Sequence, residues 1–145
     1  MSASAITDRL IDNLSAASVI GACQVATHFA VLEATNACAG VVVFTGMESD
    51  PWAMGNQHQR FYTHQVQLFV KDRSGNSELI ERDFQKMFDA SVCSIETDRN
   101  LGNEDIYEIT SLNGSHDPNT LLNTAGHTWS WGTLDIRTRE WPTNT

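Results

Sequence analysis

The sequence predicts an α+β fold, in which a mixed or antiparallel sheet of about four strands carries helices on one face. Some segments repeat apolar residues at the helical period, and others have the alternation or the short apolar run of a β-strand. The 145 residues fall within the usual size of one domain, and no internal repeat or low-complexity tract divides them. We therefore expect residues 1–145 to form a single two-layer domain.

The first predicted helix runs from Ser4 to Leu14, because apolar residues recur there at every fourth position. A second, weaker helical stretch covers ACQVATHFAVLEAT, although its β-branched residues leave that assignment open. The clearest helix lies in SELIERDFQKMFDASV. Its apolar stripe consists of Ile80, Phe84, Met87 and Phe88. We expect this stripe to face the sheet, because a sheet needs an apolar cover.

Four segments predict strands. AGVVVFTG has the apolar run of a buried strand, and RFYTHQVQLFVKD follows it after a loop. The second of these strands places one set of alternating residues toward the core: Tyr62, His64, Val66, Leu68 and Val70. The other two strands are IYEITSL and the closing segment of the chain. The intervening segments Met47–Gln59 and Asn113–His127 are rich in turn residues and predict loops.

The closing segment, GHTWSWGTLDIRTREW, holds three of the four tryptophans. Trp129 and Trp131 share one face of the predicted strand, whereas Leu134 and Ile136 share the other. Gly132 lies where the pattern switches, which predicts a bulge or a twist at this position. We expect the tryptophan pair either to pack in the core of its own subunit or to anchor an interface.

Charge and hydropathy exclude several classes of protein. Nine basic and eighteen acidic residues give a formal net charge of −9, which repels a phosphate backbone and disfavours nucleic-acid binding by a basic face. The longest apolar run, Val41–Phe44, is strand-sized, so we expect no membrane span. Charged residues interrupt the amino-terminal segment where a signal peptide needs an apolar stretch: Asp8, Arg9 and Asp12. We therefore expect synthesis in the cytosol.

The segment GSHD, Gly114–Asp117, contains the residue types of a hydrolytic triad. The members of such a triad converge from different parts of a fold, and neighbours in sequence cannot ordinarily form its hydrogen bonds. Since Pro118 and Asn119 follow, the segment predicts a turn. A small ligand-binding or hydrolytic domain using His64 or His116 is the weaker alternative, and it would place a histidine in a concave polar pocket.

No other motif predicts a catalytic, metal or cofactor site. The sequence lacks a dinucleotide fingerprint, a Walker loop and a nucleophile elbow. A metal site can be drawn from His58, His64, Glu48 and Asp50, but the spacing matches no zinc or calcium pattern. The cysteines form no CxxC pair, and we interpret them as reduced apolar residues: Cys23, Cys38 and Cys93. We expect a protein that is not an enzyme.

The order of these segments resembles tail terminator proteins of long-tailed bacteriophages. The resemblance lies in VVVF, an acidic loop containing proline, VQLFVKDRSG, LIERDFQKMFDA and WSWGTLDIRTRE. In that family an amino-terminal helix precedes the same order of strand, loop, strand, helix and strand. The resemblance covers residues 4–140, and it rests on element order and local texture because the family has no diagnostic short motif.

The resemblance implies a structural role without catalysis. Tail terminators form a hexameric ring on the head-proximal end of the tail tube, stop its polymerisation and present the surface that joins the head. The implied partners are further copies of the chain, the tail tube protein and a head-tail connector or neck protein. DNA passes through the lumen without specific binding. The virion is the implied location, and assembly takes place in the host cytoplasm.

A neck or head-completion protein and a tail tube subunit are alternatives with similar fold and size. A ring closed by head-to-tail contacts requires two different patches on each subunit. Trp52 and Met54, in the predicted loop Met47–Gln59, are candidate interface residues, as are Trp129 and Trp131. An interface role predicts a ring, whereas a ligand-binding role predicts a monomer or dimer with a pocket.

Overall fold

The computed structural model describes residues 2–16, 23–25, 38–50, 59–72, 77–102, 106–124 and 127–141. The described elements are helices α1 (Ser2–Ala16) and α2 (Ser77–Glu96), and strands β1 (Cys23–Val25), β2 (Cys38–Asp50), β3 (Gln59–Lys71), β4 (Tyr107–Thr124) and β5 (His127–Glu140). All the strands belong to one sheet with the order β1-β2-β3-β5-β4. Only β1 pairs in parallel, with β2, and the remaining pairs are antiparallel. The α+β prediction is confirmed.

The helices cover one face of the sheet and bury its apolar stripe. Ile80, Phe84 and Met87 are buried, and Phe88 is partly buried against the same core. From α1 the core receives Ile6, Leu10 and Leu14. The sheet contributes the alternating set predicted for β3: Tyr62, His64, Val66, Leu68 and Val70. The spacing of apolar residues therefore identified the buried side of both helices and of β3.

Both predicted loops are partly strand. Met47–Asp50 extend β2 and pair with β3, whose first residue is Gln59. Residues 51–58, which include Trp52 and Met54, lie outside the described part of the chain. β4 continues through most of the turn-rich segment Asn113–His127 and pairs with β5. Where the strands pair, hydrogen bonds offered by the neighbouring strand outweigh the local turn preference, which is the context dependence expected of β structure. The register shifts across residues 117–120, where Asp117 accepts turn-type hydrogen bonds from Asn119 and Thr120.

The weaker helix prediction is wrong at its beginning. Cys23–Val25 forms β1, which pairs in parallel with Cys38–Gly40 of β2. The remaining residues of that segment lie outside the described part of the chain. The neighbouring strand β2 supplies backbone partners that a helix would not use, and the β-branched Val25 suits a strand.

Gly132 provides space for an aromatic ring and does not interrupt β5 against β3, where Leu68 pairs with Gly132 in continuous register. A Cβ atom at Gly132 would lie 2.7 Å from Cζ of Phe84 and 2.8 Å from the carbonyl oxygen of Ser115. At Gly114, a Cβ atom would lie 2.3 Å from Cζ of Phe88. The register instead shifts on β4, immediately after the residue that pairs with Gly132. The irregularity predicted at Gly132 is therefore found on β4 beside it and not in β5 itself, and close approach of the Phe84 ring accounts for the glycine.

Asp98 ties α1 to the turn that follows α2. Its carboxylate accepts hydrogen bonds from Nε of Arg9 and Nδ2 of Asn13, each at 2.7 Å, and from the backbone N–H of Gly102 at 3.0 Å. The Arg9 hydrogen bond is the main reason that the pKa of Asp98 lies below its ordinary value. Leu101 and Gly102 have φ angles of 49° and 75°, so this carboxylate also stabilises a turn in the left-handed region.

Candidate interaction surfaces

The tryptophan pair lies on the face of the sheet opposite α1 and α2, which we call the outer face. Trp129 is fully buried there in a small cluster with Val41 and Phe69. Trp131 is half-buried at the border of this cluster. The sequence predicted that the two side chains share a face, and the structure separates them by exposure. Only Trp131 exposes surface to a partner, whereas Trp129 is part of the fold of its own subunit.

Beyond this cluster most side chains of the outer face are polar. Gln67 donates to Gln65 at 3.2 Å, and Gln65 donates to Asp135 at 3.4 Å, so a chain of amide and carboxylate groups crosses from β3 to β5. These side chains alternate with the core residues of the same strands. The outer face therefore carries hydrogen-bonding groups where the helix side carries apolar ones.

Two arginines of β5 lie on the outer face, and each is both ion-paired and stacked on an aromatic ring. Arg137 lies 3.3 Å from Glu48 and 4.1 Å from the centre of the Phe61 ring. Arg139 pairs with Glu108 and lies 4.1 Å from the centre of the Trp141 ring. Since a carboxylate neutralises each guanidinium, this arrangement forms no basic patch.

His64 is a buried core residue whose ring is neutral. The hydroxyl of Thr7 donates to the carbonyl oxygen of Ala3 at 2.9 Å, so it accepts from Nε2 of His64 at 3.0 Å. Nδ1 of His64 is buried and has no hydrogen-bond partner among the described residues. Burial lowers the pKa of His64, because desolvation penalises the imidazolium. This histidine joins α1 to β3 and does not face an open pocket.

His116 links β4 to α2 and β5. Its Nδ1 lies 2.8 Å from the carbonyl oxygen of Trp131, its Nε2 lies 2.8 Å from Oε2 of Glu81, and its ring stacks on Phe84 at 3.9 Å. With both ring nitrogens engaged, neither is available to a substrate. Asp117 instead accepts from the backbone N–H of Asn119 and the hydroxyl of Thr120, so the residues of GSHD do not converge.

Glu48 and His64, two members of the metal site drawn from the sequence, lie on opposite faces of the sheet. Glu48 is paired with Arg137, whereas His64 is buried beside Thr7. His58 lies outside the described part of the chain. Among the residues that the structure describes, no three His, Cys, Asp or Glu side chains form a group that could hold a metal ion.

Of the five large apolar side chains that are exposed among the described residues, three lie at two corners of the sheet, and the other two are Leu79 and Trp141. The first corner patch is Phe44 and Met47, which are 45% and 54% exposed beside the β2–β3 connection. The second corner patch lies near the β4–β5 connection, where Leu121, 43% exposed, pairs with Ser130 on the helix side, and the half-buried Leu122 and Trp131 lie on the outer face. Met47 pairs with Tyr62 of β3, and Leu121 pairs with Ser130, which in turn pairs with Val70 of β3. Met47 and Leu121 are therefore separated by about 27 Å along the strands.

Sequence reasoning missed the first corner patch because it assigned Met47 to a loop and Phe44 to a fully buried strand. The structure places Met47 two residues beyond the bulged Thr45, where the register between Phe44 and Gly46 shifts. This bulge turns Met47 toward the helix side, opposite Tyr62. A bulge cannot be read from one strand alone, because it is defined by the pairing with a second strand.

Neither described helix has the length and apolar character needed to cross a membrane. No protein-family model matches the chain, and no curated protein matches it either.

Proposed function

We propose that this protein is a structural component of a bacteriophage virion, a tail terminator. In this role it forms a hexameric ring on the head-proximal end of the tail tube, ends tube polymerisation and provides the surface that joins the head. The proposal rests on the resemblance of residues 4–140 to that family and on the distribution of exposed apolar residues. The tail tube protein and a connector or neck protein would be its partners.

The observation that carries the proposal is the presence of two different corner patches on one small domain. A ring closed by head-to-tail contacts needs two unlike surfaces that meet between neighbouring subunits. The first corner patch (Phe44, Met47) and the second corner patch (Leu121, Leu122, Trp131) lie at opposite ends of the strands. Large exposed apolar residues lose contact with water when they enter such an interface, which favours association.

The charge distribution supports passage of DNA through the ring without retention. The formal net charge is −9, and the arginines of the outer face, Arg137 and Arg139, are paired with carboxylates. A basic lining would release counterions from DNA and hold the genome in the lumen. We expect a lumen that is neutral or acidic, and a side-chain-resolution reconstruction with unpaired arginines lining the lumen would contradict this expectation.

Assembly can be tested with one blocked variant for each corner patch. Met47→Asp blocks the first patch and Leu121→Asp blocks the second, and we expect each variant alone to be monomeric by light scattering. In a mixture, the intact second patch of Met47→Asp can meet the intact first patch of Leu121→Asp. A heterodimer should therefore form, and no ring. Leu79→Asp is the matched control, because it places the same charge on another exposed apolar residue, 39% exposed, in the first turn of α2.

The unmodified chain and the Leu79→Asp variant should form closed six-fold rings, alone or on purified tail tubes, visible by electron microscopy. Unmodified chains that remain monomeric in solution and do not bind tube ends would refute the tail terminator assignment. Rings that form equally well from Met47→Asp and Leu121→Asp would refute the corner patches as the ring interface.

A further inference from the structure

A groove runs between α2 and the edge strand β4. α2 lies over β3 and β5, and it leaves the helix side of β4 only partly covered. Two cavities of about 450 and 310 Å³ follow one another along this seam. The first is lined by residues that include Glu96, Arg99 and Leu112, and the second by residues that include Glu81, Phe88 and Asp89. The Arg99 guanidinium donates to the carbonyl oxygen of Ile109 at 3.3 Å.

The floor of the groove is apolar at Phe88 and Leu112, and polar side chains flank it in the first cavity. The Phe88 ring lies directly over Gly114, where a Cβ atom would overlap it, and Leu112 continues the apolar surface toward the end of α2. Phe88 and Leu112 are only partly buried, so their exposed parts face the groove. The floor can therefore receive the apolar portions of side chains that enter from above.

The outer edge of β4 offers backbone groups to another strand. Among the strands that the structure describes, β4 is the last of the sheet and pairs with β5 on one side. Register shifts between Ile109 and Ser111 and between His116 and Leu121 bound a regular stretch, Ser111–His116. Before it, the N–H of Ile109 donates to the carbonyl oxygen of Arg99 at 2.7 Å, and after it Pro118 has no N–H. Within the described residues, the edge without a further strand is therefore Ser111–His116, a length of about 20 Å.

A row of carboxylates follows the flank of α2 that faces this edge. Glu81, Asp89 and Glu96 line the two cavities and are separated by about two helical turns each. Glu81 bonds to His116, whereas Asp89 and Glu96 have no ion-pair partner among the described residues. The row spans about 22 Å, which matches the length of the Ser111–His116 edge.

A second copy of this chain does not suit the groove. Each copy carries a formal net charge of −9. Five of its arginines already form ion pairs within the chain: Arg9, Arg60, Arg82, Arg137 and Arg139. Placing an acidic surface of one copy on the acidic row of another would be repulsive.

We propose that the groove binds an extended segment of a different protein that carries lysine or arginine at alternate positions. Its backbone would pair with Ser111–His116 and add a strand to the sheet. The alternate basic side chains would lay their aliphatic stems on Phe88 and Leu112 and place their charged heads at Asp89 and Glu96. The inference rests on α2 and β4 alone and holds whether or not the chain forms a ring.

The test uses a fluorescein-labelled peptide of alternating lysine and valine and the full chain. We expect saturable binding by fluorescence anisotropy, with amide chemical-shift changes confined to Ser111–His116 and the groove side of α2. Two control peptides should bind at least about tenfold more weakly, because neither can pair along the edge with alternating side chains. One, the block peptide, has the same composition with all lysines in one half and all valines in the other. The second has N-methyl groups at alternate backbone positions.

Charge reversal in the groove separates specific docking from general attraction. The double variant Asp89→Lys and Glu96→Lys should weaken binding by about tenfold or more. The matched control, Asp8→Lys and Asp12→Lys, makes the same charge change on exposed residues of α1 and should leave binding nearly unchanged. The proposal would be overturned by an equal loss of affinity in both double variants or by equal binding of the block peptide. Chemical-shift changes away from the groove, or self-association of the chain through this edge, would overturn it too.

Discussion

The two faces of the sheet are made by the same strands and differ in how their side chains are held. On the helix side, Val66, Leu134 and Ile136 are fully buried under the helices. On the outer face beyond the tryptophan cluster, Thr63, Asp135 and Arg137 are exposed. Packing stabilises one face, whereas hydrogen bonds and exposed ion pairs, which contribute about 0 to 1 kcal/mol each, cover the other. Substitutions on the helix side should therefore affect folding, and those on the outer face should chiefly affect partners.

The largest expected effect is the removal of an aromatic ring from the helix side. Phe84 is 1% exposed, so Phe84→Ala should lower the free energy of unfolding by about 3 to 5 kcal/mol, measured with denaturant. Phe61→Ala is the matched change on the outer face, where the ring is half-buried beneath Arg137. We expect Phe61→Ala to lower the free energy of unfolding much less. Equal losses from the two substitutions would show that the two faces contribute equally to stability.

A smaller effect should follow from adding one methyl group to a glycine. Gly132→Ala places a Cβ atom where Phe84 and the Ser115 carbonyl leave no space, and we expect a loss of about 1 to 3 kcal/mol. Gly46→Ala is the control, because no atom lies within 4 Å of the added Cβ position. Its free energy of unfolding should change by less than about 0.5 kcal/mol. A neutral Gly132→Ala would show that the Phe84 ring shifts at little cost.

The smallest expected effect is a pH dependence of stability that arises on the helix side. Burial lowers the pKa of His64, so below about pH 6.5 the unfolded chain binds a proton that the folded chain excludes. This contribution is fully present above the unfolded pKa and is lost as the pH falls toward the folded pKa. The slope should reach at most about 1.4 kcal/mol per pH unit.

Denaturant unfolding between pH 7.5 and 5 checks this expectation. This range lies above about pH 4, below which the lowered pKa of Asp98 also makes stability depend on pH. His64→Gln should flatten the slope, since a glutamine amide can donate to Thr7 but does not titrate in this range. His127→Gln, at an exposed position, should leave it unchanged. A slope that survives His64→Gln would assign the pH dependence to other groups.

Local patterns in the sequence identified the part of the fold that depends on local periodicity. The stripe of α2 and the alternation of β3 were predicted correctly because one buried side of a helix or strand imposes a fixed spacing on apolar residues. The same reasoning placed Trp129 and Trp131 on one face. The GSHD residues were not expected to form a catalytic site, because residues adjacent in sequence cannot ordinarily form the hydrogen bonds of a triad.

The sequence by itself determined the α+β class, the buried sides of α1, α2 and β3, and the acidic balance of the chain. The tertiary structure decided that Asn113–Thr124 is strand, that Trp129 is buried while Trp131 is not, and that Phe44 and Met47 form an exposed corner. These outcomes depend on which strand lies alongside and on what covers each face. Backbone hydrogen bonds between strands and close approach of a ring such as Phe84 join residues distant in sequence, so no local window contains them.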